Sequence, residues 1–208
     1  MKKLMSILLV FVFAFSFVGN VFAADRTMST VNNQQQIAID KGKEIKDAIQ
    51  ILDKYVIRLD NGTFQLIVPK NVKLQISDDV FNGINNSMND INKLITEGAL
   101  VSTPNLSVYN PKDTSLTLQD GVNQVLFYWW GYQVWMNHQL TENVCQAMNL
   151  TMAAALIASA IPAVTPFSAV IGGYVLAEQT LMRWNDTGSG IVMSFYARMT
   201  TPFWYAGQ

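Results

Sequence analysis

The chain has 208 residues, half of them hydrophobic, a formal net charge of −1, one cysteine and one histidine. That balance excludes a strongly basic nucleic-acid binder and an intramolecular disulfide. With one imidazole and one thiol it also excludes the usual kinds of zinc site.

The chain opens on Met1-Lys2-Lys3, continues with an apolar run over 4–18 and reaches Val21-Phe22-Ala23. This is the pattern of a secretory signal peptide, so the protein is expected to be secreted after cleavage behind Ala23. The apolar run is shorter than the roughly 20 residues a membrane span needs. Cleavage takes the formal charge from −1 to −3, because Lys2 and Lys3 leave. Of the 14 basic and 15 acidic residues, only Glu142, Glu178, Arg183, Asp186 and Arg198 lie beyond Gly121. The charge split predicts two subregions after the signal peptide, 24–120 and 121–208.

In chain order, Ile45, Ala48, Ile49 and Leu52 recur at helical spacing and predict an amphipathic helix over 34–54. Residues 55–59 and 64–68, joined by Asp60-Asn61-Gly62, predict a β-hairpin that Pro69 ends. Ser77-Asp78-Asp79 reads as a capped helix start, with Val80, Phe81, Ile84, Met88, Ile91 and Ile95 on one stripe and Gly98 as the stop. Residues 99–120, with Pro104 and Pro111, read as a connecting loop.

Next comes the aromatic knot Phe127-Tyr128-Trp129-Trp130-Gly131-Tyr132-Gln133-Val134-Trp135, which carries no charge. Its rings keep neither a period of 3.6 nor of 2, and its aromatic and β-branched content favours extended structure. Residues 143–177 are also free of Asp, Glu, Lys and Arg. Thr141 can cap a helix to about Ile161, Pro162 and Pro166 break it, and a second helix starting at Pro166 would reach about Trp184. Gly172-Gly173 and the run at Ala154 would let the two helices approach closely, with Ile171 near the middle of the second. Residues 185–190 form a turn cluster, 191–197 read as a strand, and Phe203, Trp204 and Tyr205 make a second aromatic group.

The predicted fold class is therefore α+β: mainly helical, with a central hydrophobic helical hairpin, two amphipathic helices, a β-hairpin and short strands. Each hairpin half, read as 18 to 20 residues, would be roughly 27–30 Å of helix, close to a bilayer's hydrocarbon thickness. It could insert into lipid, or it could be the core of a soluble domain.

Catalytic chemistry finds little footing. His138 and Cys145, seven apart on one helix, would lie about 10 Å apart along its axis, beyond hydrogen-bond reach. Asp78-Asp79 and Asp60-Asn61-Gly62 read as a helix start and a turn rather than as calcium ligands. Glu142, Glu178 and Asp186 show no pairing of the kind a glycosidase uses. Gly188-Ser189-Gly190 is too short for a phosphate loop and lacks its lysine. No enzyme, no metal and no cofactor is expected. Trp129, Trp130, Trp135 and Trp204, with Tyr128, Tyr132 and Tyr205, are of the types that sit at membrane interfaces, stack on sugars or fill cores.

The order of Trp129-Trp130-Gly131, an Ala/Gly/Ile-rich hairpin, the Asn-and-Gly turn with its strand over 185–195 and an aromatic end resembles a group of small secreted proteins of Gram-positive bacteria. Asn61-Gly62-Thr63-Phe64 and the stretch 91–98 are similar to theirs too. The resemblance implies a bacteriocin-like or otherwise membrane-directed protein, and brings no catalytic residue with it. The expected partner is the lipid bilayer of target cells. The alternative is a non-catalytic cell-surface or glycan-binding module, with a cell-wall glycan as partner and the hairpin only as structural core.

Overall fold

The computed structural model describes residues 28–111, 121–197 and 202–208, so the expected signal peptide over 1–23 and part of the stretch 99–120 lie outside the described residues. The chain divides into two units, 1–38 and 39–208. Of the first, the described part is the beginning of helix α1 (Met28–Leu52). All that follows concerns the second.

The fold is α+β, with seven α-helices and two antiparallel sheets among the described residues. After α1 and a 3-10 turn (Asp53–Tyr55) come the hairpin β1 (Val56–Arg58) and β2 (Phe64–Leu66), the short helix α2 (Lys70–Lys73) and α3 (Asp78–Thr96). Strands β3 (Val101–Ser102), β4 (Val108–Tyr109), β5 (Gln124–Tyr128) and β6 (Gly131–Met136) lead into α4 (His138–Cys145), α5 (Leu150–Ala160), a 3-10 segment (Pro162–Phe167), α6 (Ser168–Ala177) and α7 (Gln179–Asn185). Strands β7 (Ile191–Phe195) and β8 (Trp204–Gly207) complete a six-stranded sheet in the order β3-β4-β5-β6-β7-β8, every neighbour antiparallel.

Strand alternation divides this sheet into two faces. Val125, Tyr132, Val134, Met136, Ile191, Met193 and Phe195 point one way, into a core shared with Val144, Ala153, Ile157, Ile171 and Val175 of α4–α6. Tyr132 pairs with Phe195 in register and their rings stack at 5.0 Å. Helix α6 lies so close to α5 that a Cβ on Gly172 would sit 3.0 Å from that of Ala153. The second core contains Ile45, Ala48 and Leu52 of α1, Phe64 of the small hairpin, Val80, Ile84, Met88 and Ile91 of α3, and both Trp129 and Trp130.

Trp129-Trp130 forms the two-residue turn between β5 and β6, with Tyr128 paired to Gly131. This explains the missing period in the aromatic knot: the turn interrupts the alternation halfway. Gly131 has φ 150°, and a Cβ there would lie 2.1 Å from the carbonyl oxygen of Phe195, so any side chain would push β6 off β7. A hairpin turn ordinarily faces water; this one is buried, Trp129 being 2% and Trp130 7% exposed. Its polar groups have partners. Trp129 Nε1–H donates to Asp53 Oδ1 at 2.7 Å. Ser87 Oγ donates to the Trp130 carbonyl at 2.5 Å and accepts from the Ala197 N–H at 2.7 Å. Ser87→Ala strands both backbone groups, and the expected cost is about 1–3 kcal/mol, read as a lower midpoint in chemical denaturation with an unchanged slope.

Several expectations need correction. The helix expected from Thr141 to Ile161 is two helices. Asn137 caps α4 by accepting from Leu140 N, Thr141 is buried inside that helix, and Asn149 starts α5 afresh by accepting from Met152 N. The second helix begins at Ser168 rather than Pro166, because Pro162–Phe167 is 3-10, and it breaks at Glu178. At 11 and 10 residues, α5 and α6 are each about 15–17 Å long. No helix among the described residues is long and apolar enough to cross a membrane. Ser77 sits at the N-cap of α3 without bonding its amides, since its hydroxyl donates to Glu44 of α1. The stretch expected as a loop contains β3 and β4, and the aromatic end forms β8. Strands of two residues are too short to show a period.

Candidate binding cleft

The second face of the sheet, formed by Gln124, Leu126 and Tyr128 of β5, Gln133 and Trp135 of β6, Val192 and Ser194 of β7 and Trp204 of β8, is only partly covered. The end of α1, from Gly42 on, lies against it. Lys46 Nζ sits 4.8 Å above the Trp204 ring, and Asp53 meets Trp129 just past the helix end. Between Ile49, Gln50 and Asp53 on one side and the β3–β4 loop on the other, a cleft of about 760 Å³ opens over β5. Its floor is Gln124, Leu126 and Tyr128, Trp129 and Trp130 line its inner end, and its loop wall is Thr103, Asn105, Leu106 and Ser107.

Most of the floor is settled internally. Tyr128 stacks on Trp130, with ring centroids 5.0 Å apart and planes 5° apart. Burial raises the Tyr128 phenol above its ordinary pKa, so it stays protonated and donates to Gln133 Oε1 at 3.0 Å; Gln133 Nε2 donates on to Ser194 Oγ at 3.2 Å. Gln124 is different. The residue is 5% exposed, and neither its side-chain nitrogen nor its side-chain oxygen has a hydrogen-bond partner. Trp135, paired with Gln124 across the strands, has a buried Nε1 that also lacks a partner. A buried polar group without a partner costs about 1–3 kcal/mol, and such groups are rare enough to need a reason.

The loop wall breaks a second rule. A three-residue turn, closed by Leu106 N–H to Thr103 O at 3.1 Å and Thr103 N–H to Ser107 O at 2.8 Å, puts Leu106 at φ 65°. No other described residue besides glycine has positive φ. A β-turn of this kind takes Gly or Asn there at little cost and leucine at roughly 1–2 kcal/mol. Strain of this order, at a residue lining a cleft, belongs with functional positions. The cleft offers amides, hydroxyls, rings and the Asp53 carboxylate, a lining suited to holding an uncharged molecule by hydrogen bonds and apolar contact.

The residues singled out from sequence are dispersed. Trp129 and Trp130 close the inner end of the cleft. Tyr132 lies on the opposite face with Phe195, and Tyr205 packs against that same core. Trp135 and Trp204 are half-buried on the cleft's face of the sheet, Trp204 beneath Lys46. In the helical pair, Ile171 and Gly172 are buried, Ala154 and Gly173 half-buried, Pro162 exposed, and Pro166 lies in the 3-10 segment. Tyr128 lines the cleft floor, whereas Gln124, Leu126, Asp53 and the loop 103–107 were missed. The one available signal was the alternation Gln124, Leu126, Tyr128 against Val125, Phe127, which on a strand puts a lone amide on the face opposite the core.

His138 and Cys145 sit at the two ends of α4. Cys145 is buried, which pushes its thiol up to about 11. His138 Nδ1 lies 2.8 Å from Asp186 Oδ2. Burial of Asp186 favours its neutral form, but the N–H groups of Gly188 and Gly190, each at 2.9 Å, and the His138 ring together hold its carboxyl below the usual range. A carboxyl with a depressed folded pKa adds stability above its unfolded value of about 3.9, and that stability is lost as pH falls through the folded value. Thermal melts of wild type and Asp186→Asn should therefore differ at pH 7, with the variant less stable, and the difference should shrink as pH falls through the lowered folded value.

The chain matches no family model, no curated protein and no solved structure.

Proposed function

We propose that this is a secreted, non-catalytic cell-surface binding module that takes an uncharged ligand into the cleft between α1 and the sheet, the helical pair α5–α6 serving as structural core. The observation that carries it is Gln124, a buried amide facing a cleft with both hydrogen-bonding atoms unused. Co-sedimentation with purified bacterial cell envelopes is the test. The mature chain should pellet with them, and Leu126→Arg, which places a charge on the half-buried floor of the cleft, should stay in the supernatant while remaining folded by circular dichroism. Equal pelleting of both would refute the role of the cleft.

A lipid bilayer is the second partner to consider, on a different surface. Met148, 88% exposed, precedes α5, and Leu150 and Met152 of α5 and Val170 of α6 are exposed as well, all within the stretch that carries no charge. An apolar, uncharged helix surface of this kind can lie in a membrane interface, and the bacteriocin-like function would start there. Dye-loaded liposomes check it: leakage that Met152→Asp abolishes favours lipid, and Met152→Asp should fold because the site faces water. Absence of leakage across lipid compositions and pH values would remove the bilayer as a partner.

A further inference from the structure

Amide side chains hold both polar groups of one backbone residue elsewhere in this molecule. Asn92 Oδ1 accepts from the Phe64 N–H at 2.7 Å while its Nδ2 donates to the Phe64 carbonyl at 2.8 Å, so one side chain takes both polar groups of a single strand residue. Gln208 also meets both polar groups of Val122, its Oε1 accepting from Val122 N–H at 3.2 Å and its Nε2 donating to Val122 O at 3.3 Å, while the same two atoms accept from Gly121 N–H at 2.9 Å and donate to Ile191 O at 3.1 Å. Each pairing closes a small ring in which an amide meets the N–H and C=O of one residue, a match that needs the bound residue to be extended.

Gln124 has the same donor and acceptor, both unused, on the floor of the cleft. We infer that the cleft takes an extended, uncharged segment of a partner polypeptide, with Gln124 holding the N–H and C=O of one of its residues. This rests on the cleft being the binding site. The walls fit such a guest: Ile49, Leu106, Leu126 and Tyr128 supply apolar contact for side chains that flank the clamped residue, while Gln50 and Asn105 can meet further backbone groups at the rim. The one carboxylate in the lining, Asp53, already accepts from Trp129, so the lining holds no unused charge that would call for a charged guest. An extended peptide leaves its backbone amides free of internal bonds, so a site that receives it must supply partners for them. The buried pair on Gln124 supplies two.

The test is to pan a displayed library of random linear heptapeptides against the mature chain, then titrate the best synthetic peptide and a series of its copies N-methylated at one residue each. Chitotetraose is titrated in parallel as the glycan probe. The expected result is a peptide that binds at least about tenfold more weakly to Gln124→Leu and that loses binding when one particular residue is N-methylated. Envelope binding that depends on Leu126, together with no enriched peptide, with a peptide indifferent to Gln124→Leu, or with chitotetraose binding that needs Gln124, would overturn the peptide assignment and leave the cleft in place. If neither envelopes nor peptides bind the folded mature chain, both fall.

Discussion

Trp130→Ala should remove about 3–5 kcal/mol of stability, most of what a domain of ordinary stability possesses. The indole is buried between the stacked ring of Tyr128 and the edge-on ring of Phe203, in the core that α1 and α3 share with the turn of the central hairpin. Truncation leaves a void bounded by groups that cannot collapse into it: Gly131 is fixed against Phe195, and the Trp130 carbonyl is tied to Ser87. Trp130→Phe retains an aromatic ring between those neighbours and should cost less than half as much. Urea unfolding of the three proteins measures the series directly, and a loss below about 1 kcal/mol for the alanine variant would mean that the turn is not buried as described.

Gln124→Leu should act in the opposite direction. Most substitutions at buried positions destabilise, but here an amide of similar size gives up two unpaired polar atoms, and the gain is expected at about 1–3 kcal/mol. In a domain of 150–250 residues each kcal/mol moves the melting temperature by about 2–4 °C. The same variant should bind envelopes poorly. Gain of stability with loss of binding is the pattern of a residue retained for function against its own energetic cost.

The sequence was most legible where a pattern had room to repeat. Of the stripe Val80, Phe81, Ile84, Met88, Ile91 and Ile95, all in α3, Phe81 and Ile95 are half-buried and the others buried, and the helix ends at Thr96, before Gly98 at φ 73°. The small hairpin about Asn61-Gly62 forms with Gly62 at φ 85°, and β7 begins at Ile191. Failures came where long-range contacts decide. Ser77 had the local chemistry of a cap, yet Glu44 of another helix takes its hydroxyl. Residues 143–177 read as two long apolar helices because composition does not reveal that Asn149 restarts one and that Glu178 interrupts the other. The cleft could not be seen at all, since it joins residues near 50, near 105 and near 126 that only the sheet order brings together. Gln124 in particular looks in sequence like any polar residue at a strand end. What sets it apart is a missing partner, and that is a property of the fold.

The most direct measurement is the melting temperature of the mature wild type and of Gln124→Leu, each alone and with an excess of solubilised cell envelope. The expected result is that the leucine variant melts higher when alone and that the envelope raises only the wild type, by mass action on the folded state. A Gln124→Leu protein that melts lower than wild type when alone, or that the envelope stabilises equally, would contradict it.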